Sequence, residues 1–240
     1  MVNNLTQHYA TLTCSSVALS SVLPVGLDVT MPLQLTVEVP RNAVVTVTDD
    51  LHERGLLNTT LELLVGANAT LLYTLKATQG TERLMNHEVP AETDTTVLLR
   101  TINVRLMGQG AHATVRCLCF GFGKKVFKFK TLQDHQTSDA TSSLVIKTVL
   151  DDQSQLICHN VIKVQKNAQR TNAEQENKNI LLARGARAVS IPMLEIEADD
   201  VRCQHGAAVS RLDQEHLFYL QSRGLDVQQT RQMLIESFLS

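Results

Sequence analysis

Short runs in which apolar and polar residues alternate dominate this chain from residue 31 to about residue 165. The runs are LQLTVEVP, NAVVTVTDD, TTLELLVG, ATLLYTL, TTVLLRTINVRLM, ATVRCLCFGFG, SLVIKTVL and QLICHNVIKVQ. A period of two residues is typical of a half-buried β-strand, because successive side chains of a strand point to opposite faces. No stretch of comparable length has the 3.6-residue period of a helix. The sequence therefore predicts a mainly β protein.

A recurring pair near the ends of these runs consists of Gly or Asn followed by Ala. It occurs at Asn42-Ala43, Gly66-Ala67, Asn68-Ala69, Gly110-Ala111, Asn167-Ala168 and Gly185-Ala186. Gly and Asn tolerate the left-handed backbone of tight corners, and Ala fits where neighbouring backbones come close. A coiled stack of β rungs has such corners. A β-sandwich produces much the same pattern, and the spacing of the pairs is irregular, so both folds stay open at this point.

Composition limits the classes of function and the expected compartment. The net charge of −2 provides no general attraction to nucleic acid or to an anionic membrane. The five cysteines are an odd number without the spacing of a disulfide framework, which suits a reducing compartment. The first 30 residues contain no Lys or Arg, and no window of about 20 apolar residues occurs, so neither a secretory signal nor a membrane span is expected. We expect a soluble, cytoplasmic protein.

The last 30 residues predict a pair of helices. Asp213 can cap a first helix that ends at Gly224, and Asp226 with Gln229 forms a capping-box-like start for a second helix. In the second helix, Val227, Thr230, Leu234 and Phe238 fall on one face. The chain is therefore expected to end as a helical hairpin beside the β body.

Motifs for a complete active site are missing. GQGAHA at residues 108–113 matches a dinucleotide fingerprint, but a strand-like run follows it where a helix should begin, so we interpret it as a β corner. FGFGKKVFKFK at residues 120–130 faintly resembles an RNA-binding strand. It is better interpreted as a strand with Phe127 and Phe129 inward and Lys128 and Lys130 in solvent. No Gly-x-Ser-x-Gly, HExxH or CxxC motif occurs, so an enzyme is not expected.

Cys203 and His205 are the residues best suited to chemistry, because thiolate and imidazole are good ligands for soft metals. In an extended DDVRCQHG segment they share one face with Val201, and the Cα atoms of successive residues on that face lie about 6.5–7 Å apart. Two ligands so placed do not complete a tetrahedral site. The alternative is a buried thiol and a hydrogen-bonded imidazole. Among the other cysteines, Cys117 and Cys119 share a strand face and are expected to be buried apolar groups, and the side chains of Cys158 and His159 should point to opposite faces.

The C-terminal third contains many family-typical positions over some 55 residues. They are Arg170-Thr171-Asn172-Ala173, Gln175, Asn177, Asn179-Ile180-Leu181-Leu182, Pro192, Leu194-Glu195-Ile196, Asp199-Asp200-Val201, Cys203, His205-Gly206-Ala207, Leu212-Asp213, Leu217-Phe218-Tyr219-Leu220 and Ser222-Arg223-Gly224. With these residues the chain resembles the SufB/SufD family of iron–sulfur cluster assembly proteins. Gly206 favours the SufD branch, whereas Asn160 stands where the family usually has glycine. Members usually have a helical N-terminal domain and a longer C-terminal helix than this sequence contains.

The resemblance implies a right-handed parallel β-helix with a C-terminal α-helical hairpin. We expect an N-terminal segment at 1–30, a β-helix core at 31–205 with few strongly polar residues inside, and a helical segment at 206–240. The implied function is a SufD-like scaffold subunit that works with a SufC-like ABC-type ATPase and pairs through its β-helix with a SufB-like paralogue or with itself. The alternative is a reduced paralogue that serves only as a structural or interaction module.

The resemblance also implies roles for single residues. His205 is expected to be a cluster or metal ligand at the subunit interface, with Cys203 in a supporting or transient role. The hairpin at residues 213–239 is expected to dock the ATPase, with candidate contact residues Leu217, Phe218, Leu220, Leu234 and Phe238. No tightly bound cofactor is expected, and an iron–sulfur cluster would be present only transiently in the complex.

Overall fold

Fourteen strands and two helices make up the described part of the chain, which in this computed structural model comprises residues 8–11, 16–18, 33–50, 57–78, 81 and 96–240. The strands are β1 (His8–Thr11), β2 (Ser16–Ala18), β3 (Leu33–Val39), β4 (Val44–Asp50), β5 (Leu57–Val65), β6 (Thr70–Ala77), β7 (Val97–Leu106), β8 (His112–Gly121), β9 (Val126–His135), β10 (Thr141–Leu150), β11 (Gln155–Val164), β12 (Thr171–Leu181), β13 (Arg187–Ile196) and β14 (Val201–Ser210). The helices are α1 (Gln214–Ser222) and α2 (Val227–Leu239).

The strands form two parallel sheets between which the chain alternates at every step. Sheet A has the order β1-β3-β5-β7-β9-β11-β13, and sheet B has the order β14-β12-β10-β8-β6-β4-β2. Each strand pairs in parallel with the strand two positions along the chain, so Thr141 of β10 lies between His112 of β8 and Asn172 of β12. The chain therefore winds as a parallel β-helix. The prediction of a mainly β fold with C-terminal helices is confirmed, and the sandwich alternative is excluded because its sheets are antiparallel.

Alternation of side chains explains why these segments coil around one core. In β7 every second residue is buried, from Leu98 to Leu106, and the residues between them are half-buried on the outer face. The alternation predicted for the segments VVTVTDD, TLELLVG and SLVIKTV is present in β4, β5 and β10. Phe127 and Phe129 of β9 point inward, with Lys128 and Lys130 in solvent, as predicted.

Five of the six described corners that lead from sheet A to sheet B contain one left-handed residue each. These residues are Asn42, Asn68, Gly110, Asp139 and Arg170, with φ between 52° and 69°. Each of them is followed by a small or β-branched residue: Ala43, Ala69, Ala111, Ala140 and Thr171. The corner N–H donates to the next rung, as Asn68 N–H does to the Gln109 carbonyl oxygen at 2.9 Å. The interpretation of GQGAHA as a β corner is confirmed. A Cβ on Gly108 would lie 2.0 Å from the Ala67 nitrogen, so only glycine fits there.

The interior of the coil is more polar than expected, and the prediction of few strongly polar residues inside it is wrong. Buried polar side chains of the later rungs include Gln133, His135, Ser142, Asn160, Gln175, Asn177 and Asn179. Earlier rungs together bury an ion pair in which Arg100 Nη2 lies 3.1 Å from Asp49 Oδ2, and the Tyr73 hydroxyl donates to the same carboxylate at 2.9 Å. Stacked rungs allow this polarity, because neighbouring side chains of one ladder or of the facing sheet satisfy part of the hydrogen bonding.

The internal cysteines behave as apolar groups, as predicted. Cys117, Cys119 and Cys158 are completely buried, whereas His159 points to the opposite, exposed face. Burial raises the pKa of the Cys158 thiol to about 12 and the pKa of the Cys119 thiol well above its ordinary value. These thiols therefore stay protonated at neutral pH.

Both terminal helices form with the predicted caps. The Asp213 carboxylate accepts a hydrogen bond from the Glu215 N–H, and Asp226 and Gln229 form a reciprocal capping box. The buried side of α2 differs from the predicted face: Thr230, Ile235 and Leu239 are buried, whereas Val227 is 56% exposed. Ile235 and Leu239 cluster with Phe120, Val149 and Ile180 of sheet B, so α2 covers the outer face of that sheet at one end of its strands.

The coil extends beyond the expected 31–205 in both directions. Strands β1 and β2 lie upstream of residue 31 and pair with β3 and β4, and β14 continues to Ser210. Most of the segment 1–30 lies outside the described residues. Neither of the helices in the described part of the chain has the length and apolar character needed to cross a bilayer.

Candidate functional site

The last rung of the coil exposes an apolar surface, which we call the end face. It is formed by β13 and β14, and each of these strands is the last one of its sheet in the described residues. On its inward side the end face exposes Leu194, Ile196 and Val209, of which Val209 is 53% exposed. Its rim, on the outer side of β13, exposes Val189, Ile191 and Met193. In earlier rungs the inward-facing positions of the same ladders are buried. The inward side of the last rung is exposed because no further rung of the described chain covers it.

Cys203 and His205 both lie on β14, on the side that faces the interior of the coil. Cys203 pairs in register with the buried Ala173, and His205 pairs with the buried Gln175. Cys203 is half-buried against the cluster that contains Ile162 and Ala173, whereas His205 is exposed. The predicted sharing of one face by Val201, Cys203 and His205 fits this arrangement. The structure thus places both candidate ligands at the open end of the core.

The Cys203 thiol and the His205 imidazole differ in the proton loss that metal binding would require. Burial raises the pKa of the Cys203 thiol, so the thiol is mainly protonated at neutral pH and must lose its proton to bind a metal. An imidazole such as that of His205 can bind a metal only through an unprotonated ring nitrogen. The described residues contain no group of three or more His, Cys, Asp and Glu side chains arranged to hold a metal ion. A metal centre at the end face therefore needs donors from beyond this group.

A layer of buried amides lies directly beneath the end face, and the sequence analysis missed its meaning. On β12, Gln175, Asn177 and Asn179 all point inward. Asn177 Nδ2 donates to Ser190 Oγ at 2.9 Å, and Asn179 Nδ2 donates to the Ala208 carbonyl oxygen at 3.2 Å. The signal was present in the sequence, because these amides occupy every second position after Ala173. The alternation was missed because inward-facing positions of a strand are expected to be apolar.

Two other polar clusters are buried in the described coil and do not reach the end face. Asp49, Tyr73 and Arg100 lie on β4, β6 and β7, several strands away in both sheets. His135 Nε2 lies 2.7 Å from Ser142 Oγ, and burial lowers the pKa of His135 to about 4, so this imidazole is neutral. Both clusters support the coil from within.

The five predicted docking residues of the hairpin do not form one surface. Phe218 of α1 is 74% exposed, whereas Leu217, Leu220, Leu234 and Phe238 are half-buried. Phe238 packs on sheet B, with Lys147 Nζ 5.7 Å from the centre of its ring. Leu217 and Phe218 line a cavity of about 480 Å³ between the hairpin and the end of β12. We call this cavity the hairpin groove; its other lining residues are Leu181, Leu182, Arg211, Leu212, Gln214, Gln221, Val227 and Arg231.

Comparison with known proteins agrees with this geometry. Residues 27–238 match the family model described as "SUF system FeS cluster assembly, SufBD core domain". The chain is 33% identical to the iron–sulfur cluster assembly protein SufD of Escherichia coli over 142 residues, which cover 59% of this chain and 34% of that protein. It is 30% identical to SufD of Bacillus subtilis over 135 residues, covering 56% of this chain and 31% of that protein.

A mycobacterial relative is matched over a longer stretch. The chain is 31% identical to an iron–sulfur cluster assembly SufBD family protein of Mycobacterium tuberculosis over 247 residues, which cover 90% of this chain and 62% of the relative. The chain thus spans less than two thirds of the length of these relatives. The family model, by contrast, covers most of the chain, including β14 with Cys203 and His205. Together with the two-sheeted parallel coil, this match shows that the chain belongs to the SufBD family of the SUF iron–sulfur cluster assembly system.

Proposed function

We propose that this protein is a SufD-like scaffold subunit that joins a SufB-like paralogue, or a second copy of itself, through the end face. The observation that carries this proposal is the open last rung, where apolar side chains of β13 and β14 are exposed beside Cys203 and His205. An exposed strand edge readily pairs with a strand of another chain. A partner coil would bury this apolar surface and bring its own donor groups to the same place.

Within that interface, His205 binds the nascent iron–sulfur cluster and Cys203 assists it. The cluster is cargo that is built and passed on, and no resident cofactor is required. Thiolates are the usual ligands of such clusters, and imidazole replaces them in some centres. Two donors from this chain and further donors from the partner would complete the coordination, which agrees with the small donor set found on one chain. His205 is accessible on the end face, whereas Cys203 is half-buried and protonated, so His205 is assigned the lasting ligand role.

Replacement of His205 by alanine tests the ligand role. The variant should assemble with its partner normally, because the exposed imidazole makes no hydrogen bond within the described residues, while cluster formation on the complex falls sharply. Gln204→Ala is the matched control, since Gln204 is next in sequence but lies on the other face, where Nε2 donates to Glu174 Oε1 at 2.7 Å. A His205→Ala complex that builds clusters at the normal rate would leave only the alternative function, a structural or interaction module.

The hairpin is the proposed docking element for a SufC-like ABC-type ATPase. Its support is the exposed Phe218 at the rim of the hairpin groove and the two cationic residues of that groove, Arg211 and Arg231. Deleting residues 226–240 should abolish binding of the ATPase and leave a folded body. The deletion also uncovers Phe120 and Val149, which α2 buries, so a milder variant is needed.

Phe218→Ser is that milder variant, because the Phe218 side chain is mostly in solvent and its loss should not disturb the fold. Met233→Ser is the control: Met233 of α2 is also exposed but does not line the groove. We expect co-purification of the ATPase to be lost with Phe218→Ser and retained with Met233→Ser. Equal retention in both would place the docking surface elsewhere.

We place the whole complex in the cytoplasm, where reducing conditions keep buried thiols such as Cys117 free.

A further inference from the structure

Gln175 has an unusual position for an amide side chain. It is only 1% exposed, and neither its Nε2 nor its Oε1 has a hydrogen-bond partner. A buried amide without partners is costly, and native structures retain one mainly where another group satisfies it. The neighbouring amides of the same strand are partly satisfied, since Asn177 bonds to Ser190 and Asn179 bonds to a backbone carbonyl. Gln175 therefore lacks the compensation that its neighbours have.

The register of sheet B limits which groups can serve Gln175. In its own ladder the residue on one side is the apolar, buried Leu144, and the residue on the other side is His205. Adjacent strands lie about 4.8 Å apart, so in-register side chains on the same face are direct neighbours. The His205 ring is exposed, and from its in-register position a turn toward the interior would bring one of its nitrogens to the amide. The competing group is Asn160 of sheet A, whose Nδ2 also has no partner.

We infer that Gln175 is a positioning residue for His205. Its Oε1 accepts a hydrogen bond from the protonated ring nitrogen, and the other ring nitrogen then presents its lone pair at the end face. This inference rests on the proposed role of His205 as a ligand. Ligating histidines are commonly held in this way, because a bond at one nitrogen fixes both the tautomer and the direction of the ring. The buried amide thus selects the tautomer that binds metal outward.

The test measures the tautomer of His205 in the full-length protein by ¹⁵N NMR of histidine-labelled samples, assigned with His205→Ala. Gln175→Met removes the amide and keeps the length of the side chain, with Gln175→Leu as the substitute if that variant does not fold. Gln175→Glu restores an acceptor oxygen. Asn160→Leu removes the competing amide and is the control. We expect a several-fold change of the tautomer ratio in Gln175→Met, the wild-type ratio in Asn160→Leu, and recovery of that ratio in Gln175→Glu.

Two results would overturn the inference. An unchanged tautomer ratio in Gln175→Met, together with a loss of thermal stability, would mean that the Gln175 amide stabilises the core by bonding to Asn160 and does not orient His205. Equal changes in Gln175→Met and Asn160→Leu would mean a general rearrangement of the last rung. Failure of the underlying proposal looks different, because cluster formation would then survive His205→Ala while the tautomer still responded to Gln175→Met. The two ideas are therefore separable in one set of variants.

Discussion

Alkaline pH should unfold this coil partly through its internal thiols, and Cys158 allows the effect to be measured. Its side chain is completely buried, and burial raises its pKa from an ordinary value of 9.0 to about 12. A group whose pKa is raised in the folded state contributes stability that is fully present below the unfolded pKa. That contribution is lost as the pH rises toward the folded pKa. The thiol ionises near pH 9 in the unfolded chain and stays protonated in the coil, so the free energy of unfolding must fall above pH 9.

The expected magnitude follows from the two pKa values. Each pH unit well between them costs about 1.4 kcal/mol, and the slope is smaller near pH 9, so the contribution of Cys158 should fall by about 2 kcal/mol between pH 9 and pH 11. Other groups titrate in the same window, among them Lys125, whose burial lowers its pKa to about 8 and acts in the opposite direction. Their effects cancel if the wild type is compared with Cys158→Ala at each pH.

The assay is urea unfolding of both proteins under reducing conditions from pH 8 to pH 11, followed by two spectroscopic probes. The wild type should lose its advantage over Cys158→Ala steadily above pH 9. Cys203→Ala is the matched control. Because Cys203 is only half-buried, the difference between wild type and this variant should change less with pH. A stability difference between wild type and Cys158→Ala that stays constant from pH 8 to pH 11 would refute the reasoning. It would mean that the thiol ionises as readily in the coil as in the unfolded chain.

Three further predictions concern the interior and the hairpin. Arg100→Met should destabilise the coil by about 3–5 kcal/mol, because it leaves the buried Asp49 carboxylate without its positive partner and with only the Tyr73 hydroxyl. Adding Asp49→Leu should recover at least half of that loss in urea unfolding. His135, with its pKa lowered to about 4, contributes stability that is present above pH 6.5 and is lost on acidification. Wild type should therefore lose about 3 kcal/mol relative to His135→Leu between pH 6.5 and pH 4, measured by thermal unfolding. Asp226→Ala should cost about 1 kcal/mol by removing the capping box of α2, seen as reduced helical circular dichroism on mild heating.

The strands and half of the corners could be predicted from the sequence, because both depend on local physics. Alternation fixes which residues of β4 or β10 face inward, and Asn or Gly marks a left-handed corner. The corners at Asp139 and Arg170 could not be predicted in this way, since arginine rarely adopts φ near 56°. Arg170 is held there by contacts with other rungs: its N–H donates to the Asp200 carbonyl, and its guanidinium bonds to the Asp139 carboxylate.

The parallel pairing of the strands and the polar interior could not be predicted from the residues alone. A half-buried strand looks the same in a sandwich and in a coil, because its partner is chosen by contacts far apart in sequence; the family resemblance supplied that choice. Burial of Gln175 and Asn177 was not predicted from the sequence, and general experience argues against it, since isolated buried amides are rare. In this coil Asn177 finds a partner across the narrow core, where its Nδ2 donates to Ser190 Oγ of sheet A. The placement of Cys203 and His205 on one face needed only alternation, but their exposure depends on the absence of a following rung in the described chain.

The path of the chain after β14 explains how one small protein can offer two separate surfaces. The hairpin that follows Ser210 turns onto the outer face of sheet B, where Ile235 and Leu239 cover Phe120 and Val149. Arg116 and Lys147 of that face also hold the end of α2 by donating to the Ser240 carbonyl oxygen, each at 3.0 Å. Because the hairpin is docked there, it leaves the end face uncovered. In the proposed complex a partner coil and an ATPase can then bind at the same time. Substitutions of His205 and Phe218 should consequently act independently on cluster formation and on ATPase binding. For either measurement, the free-energy change in the double mutant should equal the sum of the changes in the two single mutants. A strong coupling between them would mean that the hairpin moves against the coil during assembly.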